Sequence, residues 1–262
     1  MQAKQVRFLG RHQLSADIFR LDFEWKCPPP EPGQFFLIKP VLSSVFLERP
    51  ISVAIYENEI LTFFITPKGK GTKEICSLHV NDKAWVTGPL GNTFMEMLEA
   101  KQIIKNDHLR IALISGGIGV APLHFFSLQL YNANIDFDFY CGYRHLDEID
   151  KAECAYLARY AKDTVIVTDD GSAGLKGRVV DFLDPAKYSA VFCCGPLPMM
   201  TSCAQKAAAA GTAVFASMEA HMACGVGACL GCTVRLQDSD GTFVNRRCCK
   251  DGPVFEGDKI AW

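Results

Sequence analysis

Five cysteines near the C-terminus carry the strongest chemical signal in the chain. Cys224, Cys229 and Cys232 stand in the spacing C-x4-C-x2-C, and Cys248 and Cys249 follow at a distance. This is the plant-type spacing for a [2Fe–2S] cluster. Two irons need four converging thiolates, and one loop delivers three of them only if its backbone turns sharply. Gly225, Gly227 and Gly231 permit such turns. Backbone N–H groups of the loop can also hydrogen-bond the sulfurs and tune the potential. A structural zinc site is the alternative. It calls for paired hooks, and the second hook would be Cys248-Cys249, an adjacent pair that chelates one tetrahedral ion poorly. By spacing alone, either Cys248 or Cys249 serves as the fourth ligand.

Two glycine loops point to a nucleotide. Ile111-Ala-Leu-Ile-Ser-Gly116-Gly117-Ile118-Gly119-Val-Ala-Pro122 reads as a strand, a glycine loop and a helix start. Such a loop turns backbone N–H groups and a helix dipole toward a pyrophosphate. It is not the G-x-G-x-x-G fingerprint, because Gly116 and Gly117 are adjacent. Cys194-Gly195-Pro196 also follows a strand and precedes a helix, and Thr168-Asp169-Asp170-Gly171 ends another strand. In an open parallel sheet, ligands sit at such carboxyl ends. Nearer the N-terminus, Arg49-Pro50-Ile51-Ser52 opens a strand. Its Arg and hydroxyl can hold a phosphate or polarise a flavin ring. Gly69-Lys70-Gly71-Thr72 precedes a short helical pattern whose N–H groups can meet a second phosphate. The histidines, His12, His79, His108, His124, His145 and His221, show no zinc spacing.

These residues need elements to hold them. In the first hundred residues Phe19, Leu21, Phe23 and Trp25 alternate with Arg20, Asp22 and Glu24, the pattern of a half-buried strand. Further strands are expected at Gln34–Lys39, Ile51–Tyr56 and Ile60–Thr66, the last two as a hairpin, and together they suggest a small barrel or sandwich. From Leu109 strands and helices alternate. Strands are expected at Leu109–Ser115, Ile135–Cys141, Thr164–Thr168 and Ala190–Cys194. Helices are expected from Pro122, at Asp147–Ala161, Val179–Leu183 and Pro198–Ala210. That rhythm implies a parallel sheet covered by helices. Ala213–Met218 adds a strand, and the remaining Cys- and Gly-rich tail is short enough to need a metal to hold it.

Composition sets the bounds. The 262 residues are 49% hydrophobic and 21% charged with net charge -2. This excludes disordered, collagen-like and rod-like chains and any global pull toward nucleic acid. The 12 cysteines are not needed as staples, since this length buries a substantial core. Cys27, Cys76, Cys141, Cys154, Cys193, Cys194 and Cys203 read mostly as small buried hydrophobes. The N-terminus has no apolar run of signal-peptide length, and Ile111–Phe126 is too short and glycine-rich to span a bilayer. A reducing, cytoplasmic location is therefore expected.

In order along the chain, Arg49-Pro-Ile-Ser52, Gly69-Lys-Gly-Thr72, Gly116-Gly-Ile-Gly-Val-Ala-Pro122 and Cys194-Gly-Pro-Leu-Pro-Met-Met200 resemble the ferredoxin–NADP reductase superfamily. The tail, Met218-Glu-Ala-His-Met-Ala-Cys224-Gly-Val-Gly-Ala-Cys229 with Cys249-Lys-Asp-Gly-Pro-Val-Phe255, narrows this. It resembles the family of electron-transfer subunits of dihydroorotate dehydrogenase B, and the likeness covers essentially the whole chain.

The resemblance implies an α+β multidomain fold. It has an antiparallel β-barrel FAD domain over 1–100, an α/β parallel-sheet NAD domain over 101–212 and a small [2Fe–2S] domain over 213–262. FAD contacts fall on Arg49, Pro50, Ile51, Ser52, Phe64, Ile65, Thr66, Gly71 and Thr72. NAD contacts fall on Gly116, Gly117, Ile118, Gly119, Cys194, Gly195, Pro196 and Met199, with Asp169 as a candidate for the ribose hydroxyls. The cluster ligands become Cys224, Cys229, Cys232 and Cys249, because the family's last ligand directly precedes the x-Asp-Gly-Pro-Val-Phe segment. Cys248 is then a departure. Arg49 beside a flavin favours its reduced, anionic states. No general base is marked.

The family further implies an FMN-containing catalytic partner that oxidises dihydroorotate in pyrimidine biosynthesis. Electrons pass from that FMN through [2Fe–2S] and FAD to NAD+, and the complex is a heterotetramer of two subunits of each kind. The nearest rivals are a ferredoxin:NAD(P)H oxidoreductase or a hydrogenase diaphorase subunit of the same architecture. A cluster-based redox sensor is a further one.

Overall fold

Residues 2–26, 28–105, 108–148, 159–238 and 240–262 are described by a computed structural model. Six strands close into an antiparallel barrel: β1 (Gln2–Gln13), β2 (Phe19–Glu24), β3 (Phe35–Pro40), β4 (Arg49–Glu57), β5 (Ile60–Ile65) and β6 (Lys83–Leu90), in the order β1-β2-β5-β4-β3-β6. Alternation places Leu21 and Phe23 of β2 inside. There Phe23 packs on Phe8 at 5.1 Å and on Phe63 at 5.9 Å between ring centroids, and Phe36 meets Trp25 at 5.0 Å. The β4–β5 hairpin turns through Asn58 and Glu59 at φ 51° and 62°, the paired positive values a two-residue turn requires. Expected strands begin or end one or two residues from the observed ones. β1 and β6 carry no such sequence signal. The polar run of β1 buries only Val6 and Phe8 among its described side chains.

β3 differs from the other strands. Phe36 and Ile38 point into the barrel core, whereas Phe35 and Leu37 belong to a second core shared with the rest of the chain. A strand covered on both faces reads as a continuous apolar run. Helix α1 (Lys70–Cys76) sets Ile75 and Cys76 into the barrel core. Helix α2 (Phe94–Ala100) opens with a reciprocal cap. Thr93 Oγ1 accepts from the Glu96 N–H at 3.1 Å, and Glu96 Oε2 accepts from the Thr93 N–H at 2.8 Å. Phe94 stacks on Phe126 at 4.7 Å, which ties α2 to the next layer.

That layer is a seven-stranded sheet, β10-β9-β8-β7-β11-β12-β15. Its parallel strands are β7 (Arg110–Gly116), β8 (Asp136–Tyr143), β9 (Thr164–Thr168), β10 (Leu175–Lys176), β11 (Ala190–Cys194) and β12 (Ala213–Ser217). Helix α3 (Val120–Asn132) lies between β7 and barrel strand β4. It starts two residues before the expected Pro122, whose missing N–H is harmless in a first turn. Helix α4 (Leu197–Ala209) follows β11. The helix expected at Val179–Leu183 is a 3-10 turn over Val179–Phe182, and the one expected at Asp147–Ala161 lies largely outside the described residues.

The tail forms a hairpin of β13 (Thr233–Gln237) and β14 (Phe243–Arg247), then α5 (Cys248–Asp251) and β15 (Val254–Glu256). β12 pairs parallel with β11, and β15 pairs antiparallel with β12, so the expected division at residue 213 falls inside the sheet. Cys232, Val234, Cys248, Cys249 and Ile260 share one core with Val191 and Val214 of the sheet. Among the described residues no helix is long and apolar enough to cross a membrane.

Candidate functional site

The carboxyl ends of β7 and β11 carry two glycine loops that interlock backbone to backbone. A Cβ on Gly119 would lie 2.2 Å from the Cys194 carbonyl oxygen, and one on Gly195 would lie 2.8 Å from the Gly116 nitrogen. A Cβ on Gly116 would meet Pro196 Cδ at 2.6 Å and Met199 Sδ at 2.8 Å. Glycine is required here because any side chain would part the loops. Gly117, at φ 52°, has nothing within 4 Å of its Cβ position and faces open space. The structure thus joins Gly116, Gly117, Ile118 and Gly119 with Cys194, Gly195, Pro196 and Met199 in one surface. Burial pushes the Cys194 thiol well above its usual range.

Asp169 is two strands away on the same edge, its N–H bonded to the Tyr143 carbonyl at 3.0 Å. Asp170 is committed to its own turn. Its Oδ1 accepts from the Ser172 N–H at 2.9 Å and hydroxyl at 2.6 Å, bonds that hold its carboxyl below the usual range. Asp169 is exposed at the strand end.

Arg49, Pro50, Ile51 and Ser52 are half-buried at the start of β4. Pro50 pairs with Leu37 and Ser52 with Phe35, on the outer face of the barrel. Ile51 packs against the barrel core. The Arg49 guanidinium lies on Gly71 of α1, where an added Cβ would be 2.4 Å from its Nε. Its Nη1 donates to the Leu47 carbonyl at 3.1 Å. A cation clamped beside the first turn of α1 suits a phosphate. Thr72 closes that turn, its hydroxyl accepting from the Gly69 N–H at 3.1 Å. Thr66 is half-buried just beyond β5. Phe64 and Ile65 have their side chains in the two cores, at 5% and 2% exposure. Phe64 faces His124 at 6.0 Å between rings.

The cysteines meet as two pairs. The Cys229 N–H donates to Cys224 Sγ at 3.4 Å, and the Cys249 N–H donates to Cys232 Sγ at 3.5 Å. Positive φ at Gly225 (67°), Gly227 (80°) and Leu230 (58°) winds the loop around the first sulfur. The backbone N–H of Val226, then that of Cys229, its thiol and the Ala228 N–H lower the Cys224 thiol to about 6. A thiol already drawn toward its anion is what a metal ligand must supply. Cys249, where burial and the Cys232 thiol act together, is pushed up to about 12.

Cys248 is elsewhere. Its thiol donates to the Met218 carbonyl at 3.1 Å, it is fully buried, and burial raises it to about 12. Among the described residues no group of three or more His, Cys, Asp or Glu side chains closes on a single ion position. Two adjoining thiol pairs with N–H donors to sulfur fit a group holding two metal centres. Beside them an open groove of about 500 Å³ is lined by Pro89, Leu90, Gly225, Val226, Cys249 and Lys250.

Residues without a motif hold these parts together. Gly225 presses on Leu37 of β3, and Asn92 holds Val254 by hydrogen bonds in both directions. In the sequence Leu37 is one apolar residue in a strand and Asn92 a loop polar residue, so no local signal marks either.

The chain is similar to known proteins over nearly its whole length. The family model for the iron–sulfur cluster binding domain of dihydroorotate dehydrogenase B matches residues 219–261. Curated relatives named dihydroorotate dehydrogenase B (NAD(+)), electron transfer subunit, span nearly the whole chain. That of Clostridium perfringens is 40% identical over 86% of this chain and 85% of its own. That of Clostridium acetobutylicum is 37% identical over 87% and 85%. That of Caldanaerobacter subterraneus is 32% identical over 98% and 97%. Among solved structures, an NADH-dependent reduced ferredoxin-NADP oxidoreductase superposes with TM-score 0.81 at 24% identity, covering 98% of this chain and 90% of that one. A Neisseria gonorrhoeae ferredoxin NADP+ reductase with bound FAD and NADP gives 0.65 at 16% identity, covering 80% and 92%. These two likenesses speak to the fold alone.

Proposed function

Because the chain belongs to the family of dihydroorotate dehydrogenase B electron transfer subunits, we propose that it carries electrons between an FMN-bearing dihydroorotate-oxidising partner and NAD+. When bound, a flavin exchanges a hydride or single electrons, and a [2Fe–2S] cluster exchanges one electron at a time. Cys224, Cys229, Cys232 and Cys249 hold the cluster, and Cys248 is a core residue. The two thiol pairs and their N–H donors support this assignment.

Arg49, beside Gly71 and Thr72, anchors the FAD phosphates. Pro50 to Ser52 and the backbone of Phe64 to Thr66 line the ring. The interlocked loops at Gly116–Gly119 and Cys194–Met199 take the nicotinamide nucleotide, with Asp169 placed for ribose hydroxyls. The residues of this chain position and insulate, and none is assigned as an acid or base. In the working complex two such chains join two catalytic subunits. Residues 1–100 act as the flavin domain, 101–212 as the nucleotide domain and 213–262 as the cluster segment, the last tied into the nucleotide sheet.

The observation that carries this reading is the setting of the cysteine pairs. They lie against the outer barrel face that bears Pro50 and Ser52, while the glycine loops end the adjoining sheet. The test is the anaerobic visible spectrum and cofactor content of the chain purified with its partner, with sedimentation for stoichiometry. FAD and about two irons here, FMN in the partner and dihydroorotate-dependent NADH formation support it. NAD(P)H diaphorase activity with no dihydroorotate activity would sink it.

A further inference from the structure

We propose that Leu37 is the positioning residue that sets the gap between flavin and cluster, an inference that rests on the FAD and cluster assignments above. Leu37 is 3% exposed on the outer face of β3. In register it lies opposite Pro50 of β4 on one side and Thr87 of β6 on the other. Its neighbours Phe36 and Ile38 fill the barrel, but Leu37 shares a core with Cys232 and Cys249. On that face it meets the residue that follows Cys224. A Cβ on Gly225 would lie 2.5 Å from Leu37 Cδ1 and 3.4 Å from Leu90 Cδ1. Gly225 is at φ 67°, so the loop both turns and approaches there. Leu37 therefore stands, with Leu90 beside it, between the barrel strands and the loop carrying Cys224. Its close approach to Gly225 and its pairing beside Pro50 hold the spacing, because a close-packed interior transmits strain.

The step it governs is a single-electron exchange. In the direction the test reads, NADH reduces the flavin by hydride transfer. One electron then leaves the reduced flavin for the oxidised cluster, with no bond formed between them, and the flavin proton passes to solvent. Leu37 is not among the residues assigned to the nucleotide, so hydride transfer is the internal control for that step.

The experiment uses the full complex with Leu37→Ala and the volume-conserving Leu37→Met. Anaerobic rapid mixing with NADH separates flavin bleaching from cluster reduction, and electron paramagnetic resonance of the half-reduced protein reads the magnetic interaction between flavin radical and reduced cluster. Leu37→Ala is expected to leave bleaching unchanged, to slow cluster reduction several-fold and to weaken the magnetic interaction. Leu37→Met is expected to restore both. Equal slowing of both steps, or an unchanged magnetic interaction in Leu37→Ala, overturns the role of Leu37. A wild-type chain without FAD or iron overturns the underlying assignments instead.

Discussion

Asn92 and Val254, 162 residues apart, are joined in both directions: Asn92 Nδ2 donates to the Val254 carbonyl at 2.8 Å, and the Val254 N–H donates to Asn92 Oδ1 at 3.0 Å. The side-chain amide stands in for a strand partner. It fastens the barrel's exit loop to the tail that follows the cysteines. Beside it the Asn92 N–H donates to the Gly252 carbonyl at 2.7 Å, and Lys101 of the α2 C-cap pairs with Glu256.

Removing that amide leaves two buried backbone groups of Val254 unmatched. Asn92→Ala is expected to cost about 2–3 kcal/mol, at roughly 1–3 kcal/mol for each unmade buried bond after partial relaxation. Chemical denaturation checks it. Iron should be lost earlier in the unfolding curve than in the wild type, because the tail loosens first.

Cys248 and Cys249 should part company under substitution. Cys249→Ser is expected to abolish the visible iron–sulfur absorption. Cys248→Ser keeps a donor for the Met218 carbonyl and should retain about two irons per chain. Iron content and absorption of the two purified variants decide the matter. Retained absorption in Cys249→Ser would refute the ligand assignment.

Gly71→Ala separates stability from cofactor affinity. Within a helix the change favours folding by about 0.5–1 kcal/mol. The new Cβ, 2.4 Å from Arg49 Nε, displaces the guanidinium. FAD affinity is expected to fall by about tenfold, the worth of one charge-assisted contact of about 1.5 kcal/mol, while the melting temperature of the apo chain holds or rises. Fluorescence titration with FAD and thermal unfolding give the two numbers.

Gly119→Ala should part the two loops and weaken the nucleotide site while sparing the FAD and iron sites. Its φ is -61°, so the backbone accepts alanine, and the penalty comes from the Cys194 carbonyl at 2.2 Å. KM for NAD+ and NADH should rise with FAD and iron content unchanged. Steady-state kinetics on cofactor-replete protein tests this.

His124 makes stability pH-dependent. It is 2% exposed, its Nδ1 donates to the Ala54 carbonyl at 3.0 Å, and burial lowers it to about 4 against the partial opposition of that bond. The unfolded chain, with a histidine near 6.5, binds more protons than the folded one between about 4 and 6.5. Stability therefore falls as pH drops through that window. The His124 contribution reaches about 3 kcal/mol at its lower end. His124→Gln should flatten this part of the pH profile relative to the wild type. Identical profiles would exclude the effect.

Much of the site was legible because its signals are local. The spacing from Cys224 to Cys232, the glycines at 116, 117 and 119 and the Arg49–Ser52 run each act within one loop or strand end. Their chemistry is written in neighbouring residues. The strands of the α/β layer were legible for the same reason, as short apolar runs. β1 and β6 were not, because a barrel strand half-facing solvent can bury as little as Val6 and Phe8.

What the residues alone determined, then, is the inventory: a cysteine set, glycine loops at strand ends, the Arg49–Ser52 run and the layers to carry them. Tertiary structure decided which members of that inventory meet. Cys248 and Cys249 are adjacent in a helical turn, where successive side chains point about 100° apart. The Cys248 N–H bonded to the Cys232 carbonyl at 2.8 Å turns one thiol to Cys232 and the other to Met218. Phe64 and Ile65 went to the cores, β12 and β15 joined the tail to the seven-stranded sheet, and Leu37, paired with Pro50, came to lie against Gly225. Each of these depends on contacts between distant segments. Their energies lie in close packing and matched buried hydrogen bonds, which no local pattern records.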